Sequence, residues 1–198
     1  MATPLHKRSK DELWQLFPIQ LRLHNPNYTQ WYNDEKTLLE SVLGEDIKRM
    51  NHIGSTAVDN LLAKPIIDIL LEVEEETDLN ALLPKLFNHD YINMNPEQTV
   101  LPKLIIKGYT EEGFNDRVFH LHIRPLSDHN ELYFRDYLIE FNAVKEAYAE
   151  LKKRLFKSFE HHREHYTDGK TDFINRHTEA ARKRYKDRYK PIKKSIKR

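Results

Sequence analysis

The chain contains no cysteine, which excludes disulfide frameworks, thiolate zinc sites, redox CxxC pairs and cysteine nucleophiles. No stretch approaches the roughly 18 consecutive apolar residues of a membrane-spanning helix. The run from Met1 to Trp14 lacks the apolar centre of a signal peptide, so a cytoplasmic protein without membrane association is expected. Neither sign of charge dominates: 32 Lys and Arg stand against 31 Asp and Glu, a net charge of +1, which argues against nucleic acid as a partner of the whole molecule. Only 5 glycines occur, and there is no Gly/Ser-rich linker, low-complexity tract or internal repeat. What is present is 198 residues, 39% hydrophobic and 32% charged, the balance of one globular domain large enough to bury a core unaided.

The segment Thr29 to Leu43 carries Trp31, Tyr32, Leu38, Leu39, Val42 and Leu43 at helical spacing and stops at Gly44, which predicts an amphipathic helix. Lys64 to Val73 is β-branched and apolar on both faces, the pattern of a buried central strand. Thr77 is expected to cap a helix through Leu79, Leu82 and Leu86 to about Asn88, followed by a short strand at Asp90 to Asn93. Leu101 to Tyr109 and Arg117 to Arg124 read as two further strands joined by the turn Thr110 to Asn115. From Asn130 to Tyr185 the pattern is helical almost throughout. The expected class is α+β, a mixed sheet flanked by helices with a helical C-terminal third. From Lys183 to Arg198 nine Lys and Arg face one acid, Asp187; a solvated, fraying end is preferred over contact with RNA phosphates through this tail and its Tyr185 and Tyr189.

Three features carry chemistry. His52-Ile-Gly-Ser-Thr-Ala-Val58 is a Gly-Ser-Thr step before an expected short helix, where Gly54 permits close approach and the hydroxyls of Ser55 and Thr56 can donate to phosphate oxygens. Ordinary N-capping is the bland alternative. Asp68 lies inside the apolar strand, where an ionised carboxylate costs several kcal/mol unless it is paired, hydrogen-bonded or bound to a cation. Strand alternation separates it from Glu72 by about 13 Å, too far for one cation to use both easily, and Lys64, Arg124 and Arg135 are candidate ion-pair partners. In Phe119-His-Leu-His-Ile123, His120 and His122 share one strand face and can bind metal, donate to phosphate or act as acid and base; two hydrogen-bonded histidines on a half-exposed sheet are the alternative. Lys107, Arg135, Lys152 and Lys170 are candidate walls of an anion pocket, although Arg135-Asp136 also reads as a pair joining helix to sheet, and Tyr148 and Tyr166 as core braces. His161 and His165 have metal-ligand spacing on an expected helix but not the order of a zinc-protease motif, and a solvated helix face is the reading adopted.

These motifs together, with Ala63-Lys-Pro-Ile-Ile-Asp-Ile69, Phe134-Arg-Asp-Tyr-Leu138 and Tyr148-Ala-Glu-Leu-Lys152, resemble the GrpB family from about Leu21 to Arg184. The resemblance implies a nucleotidyltransferase-like fold and divides the chain into an N-terminal extension (1–20), the domain (21–186) and a basic tail (187–198). It implies a nucleotide-type phosphate ligand over Gly54, Ser55 and Thr56, walled by Lys64, Lys107, Arg135 and Lys152. It also implies a divalent metal, Mg²⁺ or Mn²⁺ with Zn²⁺ as an alternative, at Asp68, His120 and His122. The superfamily pattern has a second aspartate where this chain has Leu70 and a carboxylate where it has the histidine strand, a departure that argues against ordinary two-Mg²⁺ transfer. Nucleotidyl or phosphoryl transfer is therefore expected beside an alternative, a binding module for a nucleotide or CoA precursor acting alongside a metabolic kinase, since similar domains are fused to dephospho-CoA kinase.

Overall fold

A computed structural model describes residues 4–159 and 162–192. In chain order it comprises α1 (Lys10–Leu16), α2 (Tyr28–Leu43), β1 (Arg49–Ile53), β2 (Ile67–Val73), α3 (Leu79–Phe87), β3 (Tyr91–Ile92), β4 (Lys103–Thr110), β5 (Gly113–Pro125), α4 (Asn130–Glu140), α5 (Asn142–Phe159), α6 (Arg163–Asp168) and α7 (Thr171–Tyr185). The five strands form one mixed sheet in the order β1-β2-β5-β4-β3. Its β2 and β5 run parallel, linked through α3, β3 and β4, and the other neighbours are antiparallel. The architecture is the α+β class expected; β2 is an interior strand between β1 and β5, as its double-faced apolar pattern requires, although the centre of the sheet is β5.

Strand parity decides what each face meets. Ile67, Ile69, Leu71 and Val73 of β2, with Phe119, Leu121 and Ile123 of β5, pack against Leu39 and Leu43 of α2 and Leu82 and Leu86 of α3 in the largest core cluster. The helix expected to be capped by Thr77 is capped instead by Asp78, whose carboxylate accepts from Asn80 N at 2.9 Å; a carboxylate is the stronger acceptor for the first free amides.

On the opposite face the cover comes in two patches. Leu70 meets Ile53 of β1, Leu132 of α4 and Tyr189, while Ile66, Ile106 and Val118 meet Leu5 and Phe17 of the N-terminal segment. Asp68 lies between Ile66 and Leu70 on that face of the chain, so it falls in the gap between the two patches. The tail departs from a solvated, fraying end at Tyr189: its hydroxyl donates to Asp136 Oδ2 at 2.5 Å, its ring meets Tyr133 edge-on, and Arg49 donates to its carbonyl at 2.9 Å. Tyr185 donates to Glu140 at 2.5 Å, so both aromatic rings proposed for RNA are engaged with the body. Residues 193–198 of the tail, and His161 of the spaced histidine pair, lie outside the described residues. No described helix is long and apolar enough to cross a membrane.

Candidate metal and anion site

The parallel β2/β5 register sets Asp68 beside His120 and Leu70 beside His122, so parity turns all four side chains to one face. His122 Nε2 lies 3.1 Å and His120 Nδ1 3.4 Å from the same oxygen, Asp68 Oδ1. One ligand atom from each of the three residues falls within 4.8 Å of the others. Two atoms each about 2.1 Å from one ion, at angles of about 90–109°, are about 3.0–3.4 Å apart, so this spacing fits a divalent cation. The mixed imidazole and carboxylate donors suit Zn²⁺ or Mn²⁺ better than Mg²⁺. Burial alone would raise the Asp68 carboxyl, but hydrogen bonds from His120 and His122 hold it well below the usual carboxylate range. Burial lowers His120 against the opposing pull of Asp68, the direction that favours the neutral imidazole a metal ligand requires.

Tyr109 orients His120 from behind, its hydroxyl 2.7 Å from Nε2, the kind of outer contact that fixes the tautomer of a metal-binding histidine. Regular alternation would turn Tyr109 away from His120. The register shift between Lys107 and Tyr109, at Gly108 with φ +85°, brings it back, and a side chain there would meet the Arg117 carbonyl at 2.2 Å. Gly54 plays a similar part on the other side. It has φ +73° and ψ −169°, a conformation essentially restricted to glycine, and an added Cβ would stand 2.5 Å from Asp68 Oδ2. Gly54→Ala is therefore expected to cost about 1–3 kcal/mol of stability and to displace the carboxylate; denaturant unfolding and metal titration of the variant check both, and an unchanged metal affinity would contradict the close-approach role.

The segment after Gly54 is a single 3-10 turn, Ser55–Ala57, instead of the expected short helix, so no helix dipole contributes to anion binding. The Ser55 hydroxyl accepts from Lys152 Nζ at 3.0 Å. Thr56 is not brought to the cluster: its hydroxyl is buried and its one proton goes to the Ile66 carbonyl at 3.0 Å. His52 Nε2, 3.0 Å from the same oxygen, must then be the donor to Thr56. Lys107 lies opposite Phe119 in register, on the other face, and pairs with Glu35 at 2.8 Å. Arg135 binds Asp136 at 2.8 Å and donates to the His52 carbonyl at 2.9 Å, the helix-to-sheet joint. Of the three partners proposed for Asp68, Arg124 goes to Glu131 and Arg135 to Asp136, while Lys64 remains near Asp68 without bonding it.

Lys64 is one of four cations gathered on this side of the molecule. Lys64 and Lys170 both lie over the Tyr166 ring, at 5.5 and 4.6 Å. Lys152, only 2% exposed, is drawn in by α5, whose Tyr148 packs with Val58 and Leu61 of the β1–β2 connection, and it also donates to the Leu62 carbonyl. Arg163, at the start of α6, was not singled out in the sequence because it sits in a run of charged residues that reads as a solvated face. Among the described residues, none of the four has a carboxylate in ion-pair contact. Burial, then the Arg163 and Lys170 charges, push Lys64 down to about 7; burial, then Lys170 and Lys64, push Lys152 down to about 7. Burial lowers Lys170 as well. The cluster stands beside the Asp68, His120 and His122 group, whose donors could hold a cation.

Comparison with known proteins gives the family. The GrpB protein family model matches residues 18–180, and the chain belongs to the GrpB family. It is 30% identical over 161 residues to the glutamate-rich protein GrpB of Alkalihalophilus pseudofirmus, covering 79% of this chain and 92% of that protein. It is 29% identical over 191 residues to UPF0157 protein YqkA of Bacillus subtilis, covering 89% of this chain but 52% of that longer protein. The crystal structure of conserved protein GrpB from Enterococcus faecalis superposes with a TM-score of 0.72 at 29% identity, over 84% of this chain and 99% of that one.

Proposed function

We propose that this protein binds a nucleotide-type phosphate ligand together with a divalent cation, the cation held by Asp68, His120 and His122 and the phosphate by Lys64, Lys170, Arg163 and the Lys152–Ser55 pair. The observation that carries the reading is the gathering of four cations in one cluster, of which Lys64 and Lys170 feel the Asp68 charge and none, among the described residues, has a carboxylate in ion-pair contact. Buried charge of one sign is costly, and a polyanion relieves it. A divalent cation at the triad would neutralise charge on a phosphoryl oxygen. Tyr109 keeps His120 aimed, Gly54 leaves room for the Asp68 carboxylate, and the lysines orient the anion; nucleotidyl or phosphoryl transfer on such a site is catalysis by positioning and charge. Leu70 favours a second reading, binding without transfer, because the position that a second metal-binding aspartate would take is fully buried against Leu132. Incubation with nucleoside triphosphates and Mn²⁺ separates the two by release of pyrophosphate or phosphate.

The direct test is thermal unfolding with pyrophosphate and Mn²⁺, separately and together. Saturation at about 100 times the dissociation constant adds about 2.7 kcal/mol, a rise of roughly 5–10 °C for a chain of this size. A joint rise exceeding the sum of the separate ones is expected; no rise with either would contradict the reading. The lysines give a second expectation. Depressed in the fold, they hold fewer protons than in the unfolded chain between about pH 7 and 10.5, so in that window they favour the ligand-free fold increasingly as pH rises. An anion favours the ammonium forms of Lys64 and Lys152, which face Lys170, with Arg163 and Asp68 also acting on Lys64. Binding of sulfate, which does not titrate here, should take up protons and weaken as pH rises above about 7. Calorimetry in buffers of different ionisation enthalpy reads the uptake, and a zero value would remove the two lysines from the anion site.

A further inference from the structure

We propose that the site has a second, apolar compartment that selects organic phosphates over inorganic ones: the cleft between Leu13 and Phe17 on one side and Met94, Leu104 and Ile106 on the other, opening beside His120 and Arg163. This inference rests on the phosphate reading above and names the part of the ligand that reading leaves open. The cleft has a volume of about 350 Å³ and is bounded by His120 and Arg163 as well as by those apolar residues, so a group seated in it is joined to an anion at the cationic cluster. Leu104 pairs with His122 and Ile106 with His120 in register, on the face that carries the metal cluster. Leu104 is 43% exposed there, an apolar side chain left uncovered next to two functional histidines.

The opposite wall comes from the segment before residue 18, where the family match begins. A Ser9–Glu12 capping box starts α1, Phe17 packs on Tyr109 at 4.7 Å, and Trp14 meets His162 beside Arg163 at 6.5 Å. The amides at the rim are already engaged: Asn95 Nδ2 donates to Gln98 Oε1 at 3.4 Å, and Gln98 donates to the Pro102 carbonyl. With those groups satisfied, the cleft recognises an aryl or alkyl surface by burial, without a hydrogen-bonding pattern to read.

The experiment is calorimetric titration with phenyl phosphate and with inorganic phosphate, each with Mn²⁺, on the full chain and on Leu104→Gln. Burying one ring face should make phenyl phosphate bind about tenfold more tightly than inorganic phosphate, and Leu104→Gln should cut that ratio about threefold or more. Inorganic phosphate binding by the variant shows that it has folded. Equal affinities in the natural chain, or a ratio that Leu104→Gln does not move, overturn the apolar compartment while leaving the phosphate site standing. Failure of both phosphates to bind the natural chain overturns the phosphate reading, and this inference with it.

Discussion

Replacing Glu72 with alanine should cost the fold about 3–5 kcal/mol, the usual penalty for removing one partner of a buried ion pair, and lower the melting temperature by on the order of 10 °C for a domain of this length. Glu72 has no exposure and lies on the same face of β2 as Asp68, yet its surroundings differ. Arg49 grips both its oxygens, Nε to Oε2 at 2.5 Å and the second contact to Oε1 at 2.7 Å. The Ser127 amide donates to it at 3.2 Å, and His129 lies 3.4 Å away. The guanidinium also holds the carbonyls of Ser127 and Tyr189, so this pair ties β1, β2, the turn before α4 and the docked tail together. Without the carboxylate the half-buried Arg49 charge is left with neutral acceptors only. The double variant Arg49→Met with Glu72→Leu should recover much of the loss, since an apolar pair of similar volume has no charge to desolvate. Chemical denaturation decides: a loss below about 1 kcal/mol for Glu72→Ala would mean that the pair is solvated enough to be dispensable.

Asp68→Asn should behave in the opposite way, with a larger effect on ligands than on the fold. The amide keeps the shape and can still accept from the histidines, but it supplies no charge to a cation, so affinity for Mn²⁺ or Zn²⁺ should fall by at least about 100-fold. Its carboxyl is held well below the usual range in the fold by hydrogen bonds from His120 and His122. That contribution to stability is present above the unfolded pKa of about 3.9 and is lost as pH falls through the folded value. The natural chain should therefore lose stability below about pH 4 more steeply than the variant does. Removal of one negative charge from among Lys64, Lys152, Lys170 and Arg163 should also strengthen metal-free binding of sulfate. Calorimetry with each ligand checks the pair of shifts, and an unchanged metal affinity would leave Asp68 as no more than the hydrogen-bond partner of two histidines.

The residues that met in the site were legible where a strand's period of two was enough to place them. The apolar flanks of Asp68 identify an interior strand, and Phe119-His-Leu-His-Ile123 assigns both histidines to one face without knowledge of the partner strand. Register was beyond reach, and it decided the rest. Lys107 falls on the far face because it pairs with Phe119, and Tyr109 reaches His120 only because the irregularity at Gly108 reverses the alternation. Arg163 illustrates a different limit. An arginine in a charged run reads as solvated, and only the placement of the start of α6 beside Lys64, Val118 and His120 makes it part of a cleft wall. Asp78 in place of Thr77 at the start of α3 is a smaller miss of local capping.

A crystal soaked with Mn²⁺ and pyrophosphate tests the central claim most directly, because anomalous scattering locates the ion independently of any activity. The account predicts one strong peak among Asp68 Oδ1, His120 Nδ1 and His122 Nε2, with the pyrophosphate lying toward Lys64, Lys170 and Arg163. A peak bound elsewhere, or a pyrophosphate that avoids those cations, would contradict it.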